Sequence, residues 1–462
     1  MVGGSSRNQS ADFFSDAAVW FRAFLSAWRR AIYDRNQGHL SWRSPLCRSS
    51  DTYSDSTLHL SVDRNVVAGK TIRLKKMISL RNLKIWNGHQ SIPENSIDIE
   101  GRLISNIGTD LPVMQESIDC SGMTAIPGLI DAHVHLELNP DDHKAPDKPH
   151  PNLSSLMEER AKKMVLAGIT TARDLGGGTW QEFSLRDSIN AGLKLGPRLL
   201  CSGQPITSPG GHCHFWGGEA SNISEAKQVL KRQVERNADL IKIMATGGRL
   251  TKGSSPTNPQ FSLELISEIV QIAHAELLPV AAHCHGTEGI YRAASAGVDT
   301  IEHCSWVGEA GWASGFQLDV AKLIKENNCR VSPTVNKGWS RMLDESRKKT
   351  LTNLRTGYQE MQRLEIPMIA STDAGIPGVY HEDLPDALAV FAQIAELSPE
   401  QALKSATSTS ANALGISVST GSLENGKFAD LLIVDGDPLQ DLSAIKSIFK
   451  VYASGRDVMR LS

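Results

Sequence analysis

The segment GLIDAHVHLE, residues 128–137, is typical of a short apolar strand that ends in two histidines. Side chains alternate between the two faces of a strand, so His133 and His135 would project from the same face. Paired histidines are often structural, and this pattern alone does not establish a metal site. It becomes informative once the rest of the chain is searched for strands that end in a similar way.

Further strand-like runs follow this segment, each with a helical stretch of about 12 to 20 residues behind it. These runs are ITTARDLG, RLLCSGQPI, DLIKIMAT, PVAAHCHG, TIEHCSW, RVSPTV and PMIASTDAG. Eight alternating β/α units predict an α/β protein with a (β/α)8 TIM-like barrel, here assigned to residues 126–415. In such barrels the chemistry gathers at the carboxyl ends of the strands.

Short alternating β segments flank the barrel region on both sides. ISLRNLKIW and SIDIEGRLISNIG precede it, whereas FADLLIVDGD and IFKVYASGRDVM follow it. They predict a small β-sandwich domain composed of residues 77–125 and 416–462. Residues 1–76 are rich in Ser, Arg and Asn and hold one amphipathic stretch, AAVWFRAFLSAWRRAIYD. A dispensable extension, a targeting segment and a packed arm remain open for this segment.

The composition excludes several classes of partner. A net charge of -3 over 462 residues offers no electrostatic basis for binding nucleic acid. No apolar run reaches the roughly 18 residues that a membrane span needs. The seven cysteines are scattered and odd in number, which suits a reducing compartment. We therefore expect a cytoplasmic protein, with mitochondrial targeting by the N-terminal segment as the alternative.

Polar residues stand out where several of the predicted strands meet their loops. They are His283 in PVAAHCH, His303 in TIEHC and Asp373 in MIASTD. Imidazole and carboxylate groups are suitable ligands for Zn²⁺ and similar divalent ions. Cysteines 213, 284 and 304 stand next to histidines and are expected to be small apolar fillers, because free cysteine packs like a small hydrophobe.

Lys242 lies in the middle of the apolar run DLIKIMATGG, where a buried strand would normally carry no charge. A lysine that its surroundings hold in the neutral form can react with CO2 to give a carbamate. That product is an anion whose two oxygens can bridge two metal ions. The alternative is a lysine whose ammonium pairs with an acid or reaches solvent.

Together with these residues, PGLIDAHVH and GKFADLLIVDGDP resemble the amidohydrolase superfamily. The resemblance is to its binuclear branch with a carboxylated lysine, which contains prolidase-like, ochratoxinase-like and imidazolonepropionase-like hydrolases. It covers residues 77–460. The imidazolonepropionase enzymes lack the lysine ligand, so their chemistry is not carried over. The resemblance further implies a homo-oligomer and a small-molecule substrate.

The resemblance also implies roles for the metal-ligand candidates. His133, His135 and Asp373 would bind the more buried of two divalent ions, with Zn²⁺ as the expected metal. His283 and His303 would bind the second ion. Carboxylated Lys242 would bridge the two.

Such a site predicts hydrolysis of a C–N bond of the amide, dipeptide or N-acyl amino acid type. A metal-bridging hydroxide would attack the carbonyl carbon, and Asp373 would act as the general base that passes the proton to the leaving nitrogen. A lactone, carbamate or organophosphate ester in the same site is the alternative. A non-catalytic scaffold barrel is disfavoured because none of the six ligand candidates is missing.

The glycine-rich loop PITSPGGHCHFWGGEA, residues 205–220, is expected to lie near the substrate. We prefer His212 over His214 as the histidine that contacts the substrate. Phe215 and Trp216 would form either an apolar wall or a packed lid.

Other polar residues receive expectations of their own. His285 is expected behind the metal ligands, and His381 is a candidate for the rim of the site. Arg173 and Asp174 are expected to form a structural ion pair.

Overall fold

A computed structural model describes residues 77–109, 111–112, 116–146 and 148–461. The expectations for residues 1–76 lie outside the described residues. The strands are β1 (Met77–Arg81), β2 (Lys84–Trp86), β3 (Ser91–Ile92), β4 (Ser96–Glu100), β5 (Leu103–Gly108), β6 (Glu116–Asp119), β7 (Met123–Pro127), β8 (Leu129–Val134), β9 (Ile169–Asp174), β10 (Arg198–Cys201), β11 (Ile241–Met244), β12 (Val280–Gly286), β13 (Thr300–Val307), β14 (Arg330–Ser332), β15 (Leu431–Asp435), β16 (Ile448–Ala453) and β17 (Arg456–Asp457).

Helices follow most of the central strands. They are α1 (Leu153–Leu166), α2 (Gln181–Asn190), α3 (Ile223–Glu235), α4 (Leu263–Ala275), α5 (Thr287–Ala296), α6 (Leu318–Glu326), α7 (Lys348–Arg363), α8 (Leu384–Ala395), α9 (Pro399–Ser405) and α10 (Ser408–Ala413). Short 3₁₀ turns occur at His214–Trp216, Lys337–Leu343, Glu345–Arg347, Leu442–Lys446 and Val458–Arg460. In the part of the chain that the structure describes, none of the helices is both long and apolar enough to cross a bilayer.

The helix boundaries follow local sequence chemistry. Ser262 caps α4 by accepting a hydrogen bond from the Leu265 amide, and Asn222 caps α3 in the same way through Glu225. Such caps satisfy amide groups that the first helical turn leaves without a partner. The predicted helical stretches SEAKQVLKRQVERNA and SLELISEIVQIAHAEL therefore begin where their capping residues place them.

Segments from both sides of the central region combine in two sheets. One sheet has the strand order β5-β4-β1-β6, and the other has the order β17-β16-β15-β7-β2-β3. In the six-stranded sheet β15 pairs antiparallel with β7, which places Leu432 opposite Ile126. Leu80 of the first sheet and Leu431 of the second share one apolar cluster. The opposite face of the six-stranded sheet packs on the central region, because Leu432 clusters with Met164 of α1.

The central strands are parallel and form the sheets β10-β9-β8 and β11-β12-β13-β14. Isolated parallel bridges extend these sheets at Ile206–Ile243, Val331–Met368 and Val134–Ala374. The parallel segments thus follow one another in the order expected of a TIM-like barrel.

The predicted strand PMIASTDAG forms only bridges and single backbone bonds rather than a regular strand. Asp373 has a φ of 61°, which interrupts the extended backbone there. The neighbouring Thr372 directs its amide and hydroxyl to the carboxylate of Asp131, at 3.1 and 2.6 Å, instead of continuing the ladder. A side-chain hydrogen bond between residues distant in the sequence takes the place of regular sheet pairing at this point.

Alternation along β11 decides which side chains reach the functional site. Ile241 and Ile243 belong to the apolar cluster between the strands and the helices. Lys242 and Met244 point the other way and line a cavity. The same period-2 rule holds on β12, where Ala282 and Cys284 face the cluster and the two histidines face the cavity.

Candidate active site

A cavity of about 850 Å³ lies at the carboxyl ends of the parallel strands. It brings together all six predicted metal-ligand residues and the predicted substrate-contacting histidine. These residues are His133, His135, His212, Lys242, His283, His303 and Asp373. Side chains at the ends of β8, β11, β12 and β13 line it, so residues far apart in the sequence converge on one space.

His133, His135 and Asp373 form the tightest group in this cavity. Asp373 Oδ1 lies 3.3 Å from His133 Nε2 and 3.4 Å from His135 Nε2, and the two Nε2 atoms are 3.3 Å apart. A tetrahedral zinc with bonds of about 2.1 Å separates its donor atoms by about 3.4 Å. The spacing of these three donors therefore fits a common divalent ion.

The other ring nitrogens of the two histidines are already engaged. His133 Nδ1 contacts Glu302 Oε2 at 2.9 Å, and His135 Nδ1 contacts the Gly176 carbonyl at 3.0 Å. Carboxylates and carbonyls only accept, so Nδ1 carries the proton in both rings. Both Nε2 lone pairs are therefore directed to the same point, as in metal-binding histidines held by an outer partner.

Glu302 is the residue of this site that sequence reasoning missed. Its carboxylate accepts from His133 and, on the other oxygen, from Arg173 Nη2 at 2.8 Å. Burial would raise the pKa of Glu302, but the Arg173 guanidinium and His133 hold it well below its usual range. The signal for it was an acid inside the apolar run TIEHC. The expected Arg173–Asp174 ion pair is wrong, because Asp174 instead accepts the amides of Leu136 and Gly176.

A second group contains His283, His285 and His303. One ligand atom from each lies within 4.8 Å of the others, and the ring centroids are 4.4 to 4.5 Å apart. His283 donates a hydrogen bond from Nε2 to the Gly247 carbonyl at 3.1 Å. The lone pair of Nδ1 is therefore free to bind a metal ion. His285 was expected behind the ligands, yet its ring contacts both other imidazoles directly.

Backbone strain helps to aim these side chains. His303, Thr334 and Asp373 have φ values of 65°, 51° and 61°. Non-glycine residues in this region cost about 1–3 kcal/mol each, and they persist where the surrounding structure holds them in place. The register of β12 against β13 also shifts between Cys284 and Gly286, a bulge of the kind that re-aims side chains beside active sites.

Lys242 lies between the two groups and is 1% exposed. Its Nζ has no hydrogen-bond partner among the described residues. Burial lowers the pKa of Lys242 to about 8, so a substantial fraction is neutral near physiological pH. An unpartnered, partly neutral amine beside two groups of imidazoles fits a carbamate ligand better than a structural ion pair.

Burial also keeps the imidazoles neutral. It lowers the pKa of His133 to about 4 and that of His285 to about 3. Neutral imidazole is the form that binds metal ions. The residues present therefore fit two divalent ions in their donor types, their tautomers and their protonation states.

Comparison with known proteins agrees with this geometry. A model of the Amidohydrolase family matches residues 124–458. The chain belongs to the amidohydrolase family. Ochratoxinase from Aspergillus niger is 24% identical over 463 residues, which cover 90% of this chain and 94% of that protein.

Solved structures are similar over most of this amidohydrolase. A Xaa-Pro dipeptidase with methionine bound in its active site is 28% identical, with a TM-score of 0.72, over 83% of this chain and 99% of that one. The A. niger ochratoxinase structure is 24% identical, with a TM-score of 0.70, over 83% and 95% of the two chains. Family membership makes the protein a hydrolytic enzyme that acts on amide-type bonds, and it implies a TIM-like barrel.

His212 of the amidohydrolase lies in the cavity, with its ring centroid 4.6 Å from that of His283. Its Nδ1 is 3.1 Å from Thr251 Oγ1, which also accepts the Cys213 amide. The remaining hydroxyl proton can be donated to Nδ1, which leaves Nε2–H as a donor. The ring packs against Gly248, where a Cβ atom would lie 2.4 Å from Nε2.

The structure also bears on the predictions for the glycine-rich loop 205–220, for His381 and for the cysteines. Trp216 lines the cavity, whereas His214 and Phe215 do not. The rim role expected of His381 is wrong, because this buried ring lies behind the ligands and contacts the His135 carbonyl at 3.1 Å. The described cysteines are free and buried, as expected of small apolar fillers.

Proposed function

We propose that this amidohydrolase is a metal-dependent hydrolase of the C–N bond in dipeptides or N-acyl amino acids. One observation carries the metal dependence: the buried, unpartnered Nζ of Lys242 lies beside imidazoles whose free nitrogens converge. The substrate class is supported by the relatives, since a Xaa-Pro dipeptidase and ochratoxinase are among them. We place the protein in the binuclear, carboxylated-lysine branch on this basis.

The proposed ligand sets follow the two groups of the cavity. His133, His135 and Asp373 would hold one divalent ion, and His283 and His303 would hold the other. The carbamate of Lys242 would bind both ions. When bound, divalent ions, most simply zinc, supply Lewis acidity that lowers the pKa of a water and polarises the substrate carbonyl.

The protein's own residues complete the chemistry. Among the described residues that line the cavity, Asp373 is the only acid. It is therefore the group suited to take a proton from water and return it to the leaving nitrogen. Burial opposes ionisation, but His133 and His135 hold the pKa of Asp373 well below its usual range, which keeps the carboxylate ionised. His212 Nε2–H is placed to bind the substrate carbonyl or carboxylate.

The test is hydrolysis of N-acyl amino acids and Xaa-Pro dipeptides by the full chain, before and after chelation, together with metal analysis. We expect two ions per chain and activity that disappears with the metal and returns with it. His214→Asn provides a control in the same loop that should behave as wild type. Activity that survives chelation, or hydrolysis of matched lactones, carbamates or phosphate esters but of no amide, would contradict the proposal.

Three further features belong to the same proposal. The β segments 77–125 and 416–462 are proposed to form one composite domain, and residues 126–415 a closed hydrolase barrel. The pairing of β7 with β15 supports the first assignment, and the bridge between Val134 and Ala374 supports the second. We also propose a cytoplasmic homo-oligomer, on the free cysteines and the family resemblance.

A further inference from the structure

Basic side chains line the exposed part of the cavity, which we call the cationic mouth. It consists of Arg249, Lys252, Arg341 and Arg347. These four residues make no ion pair within the part of the chain that the structure describes. Asp373, at the bottom of the site, is the acid that the described residues contribute to the cavity lining. This charge distribution is local, since the whole chain has a net charge of -3.

The acids close in sequence to the cationic mouth have other hydrogen-bond or ion-pair partners, although Asp344 also interacts electrostatically with Arg347. Asp344 accepts the amide of Ser346 at 2.9 Å, and Glu345 pairs with Lys348 at 2.7 Å. Neither acid lines the cavity. Arg341 makes no ion pair among the described residues, so its guanidinium group is available to an anion that enters.

Arg249 is the member of the cationic mouth that interacts electrostatically with His285. Its guanidinium carbon lies 5.0 Å from the ring centroid of Trp312. That ring lies 4.9 Å from His285, which is 4.4 Å from His303. The contact with Trp312 therefore connects the guanidinium to the candidate metal ligands through two aromatic rings.

Apolar surface accompanies the charge. Trp312, Trp339 and Met342 line the cavity and remain partly exposed. A cavity with aromatic walls and a few charged groups suits a ligand that has an apolar body and a charged end.

We propose that the cationic mouth binds a carboxylate on the leaving-group side of the substrate, and that the preferred substrates are apolar N-acyl or N-aminoacyl derivatives of acidic amino acids. This inference rests on the proposed function. An unpaired guanidinium binds carboxylate through two parallel hydrogen bonds, and several cations in one cleft attract anions and repel cations. Dipeptides that end in a basic residue are disfavoured here. Hydrolysis adds water across the C–N bond and releases a carboxylic acid and the acidic amino acid.

The first experiment compares kcat/KM for N-benzoyl-glutamate, N-benzoyl-glutamine and N-benzoyl-lysine with metal-loaded full-length protein. We expect the glutamate compound to exceed the lysine compound by about tenfold or more, because a charged hydrogen bond is worth roughly 1.5–3 kcal/mol. Arg249→Gln and the double variant Arg249→Gln/Arg341→Gln should lose this preference. Arg236→Gln is the matched control, since Arg236 also stacks on a tryptophan, Trp180, but does not line the cavity.

The second experiment measures binding of N-benzoyl-glutamate and N-benzoyl-lysine by calorimetry, with metal present and after its removal. We expect tighter binding of the glutamate compound, weakened by salt and by Arg249→Gln. Charge-selective binding without hydrolysis of any compound would overturn the proposed function and leave this inference standing. Hydrolysis with equal use of the glutamate and lysine compounds, or a preference that survives in the double variant, would overturn the inference alone.

Discussion

His133 Nδ1 donates a hydrogen bond to Glu302 Oε2 over 2.9 Å, and both side chains are at most 1% exposed. The bond directs His133 Nε2 toward Asp373. The same carboxylate neutralises Arg173, so one buried acid links the candidate metal site to the interior of the parallel sheets.

Glu302→Gln should weaken metal binding by about 10–100-fold, the usual cost of losing an outer-shell partner. It should also lower the free energy of unfolding by about 3–5 kcal/mol, because Arg173 would remain buried without its counterion. Chelator competition and thermal melting measure the two effects. In Arg173→Gln/Glu302→Gln, stability should largely return while metal affinity stays low. Unchanged affinity in the single variant would contradict the role of Glu302.

Lys242→Met should lower metal-dependent hydrolysis by about 100-fold or more, since it removes a ligand rather than an outer partner. Short carboxylic acids added to the variant should restore part of the activity. Wild-type protein grown with isotopically labelled bicarbonate should show a carbamate signal that the variant lacks. Activity equal to that of the wild type would reject the ligand role.

His212→Asn should reduce kcat by about 100-fold with a smaller change in KM, as expected for a donor to charge that develops in the reaction. Gly248→Ala should act in the same direction because its Cβ would displace the ring. Burial lowers the pKa of His212 to about 4, so its titration should not appear in rate profiles above about pH 5. A loss confined to KM would instead indicate a role in substrate binding alone.

The free energy of unfolding of Glu182→Gln should increase relative to that of the wild type as the pH rises. Both carboxyl oxygens of Glu182 are buried without a hydrogen-bond partner, and burial raises the pKa from 4.5 to about 8. A raised pKa contributes stability that is present below about pH 4.5 and is lost as pH rises through about 8. The glutamine amide does not ionise, so the variant has no such loss. Between pH 6 and 9 its free energy of unfolding should therefore rise by about 2 kcal/mol relative to that of the wild type.

Thermal melts across that pH range measure the effect of Glu182→Gln. Glu276→Gln, at an exposed position, is the control and should follow the wild type. A difference between Glu182→Gln and wild type that does not change with pH would show that Glu182 is ionised in the folded state throughout the range, and would contradict the raised pKa.

Several features of the site could be predicted from short sequence patterns. The spacing of His133 and His135 placed both on one face, and the apolar neighbours of Lys242 marked it as buried. Both predictions depend only on the two-residue period of a strand, which holds whatever the strand packs against. The segment around Asp373 behaved differently, since a bond between Thr372 and Asp131 overrode its β propensity.

The sequence by itself determined the family, the alternation of strands and helices, and the identity of the candidate ligands, because residue type and short-range period are local properties. Only the tertiary structure decided which groups meet. Arg173 pairs with Glu302, 129 residues away, rather than with its neighbour Asp174. Arg249, from the loop after β11, and Arg341, from the 3₁₀ turn Lys337–Leu343, reach the same cavity. Such contacts depend on how strand ends and loops are arranged in space, and no local pattern specifies that arrangement.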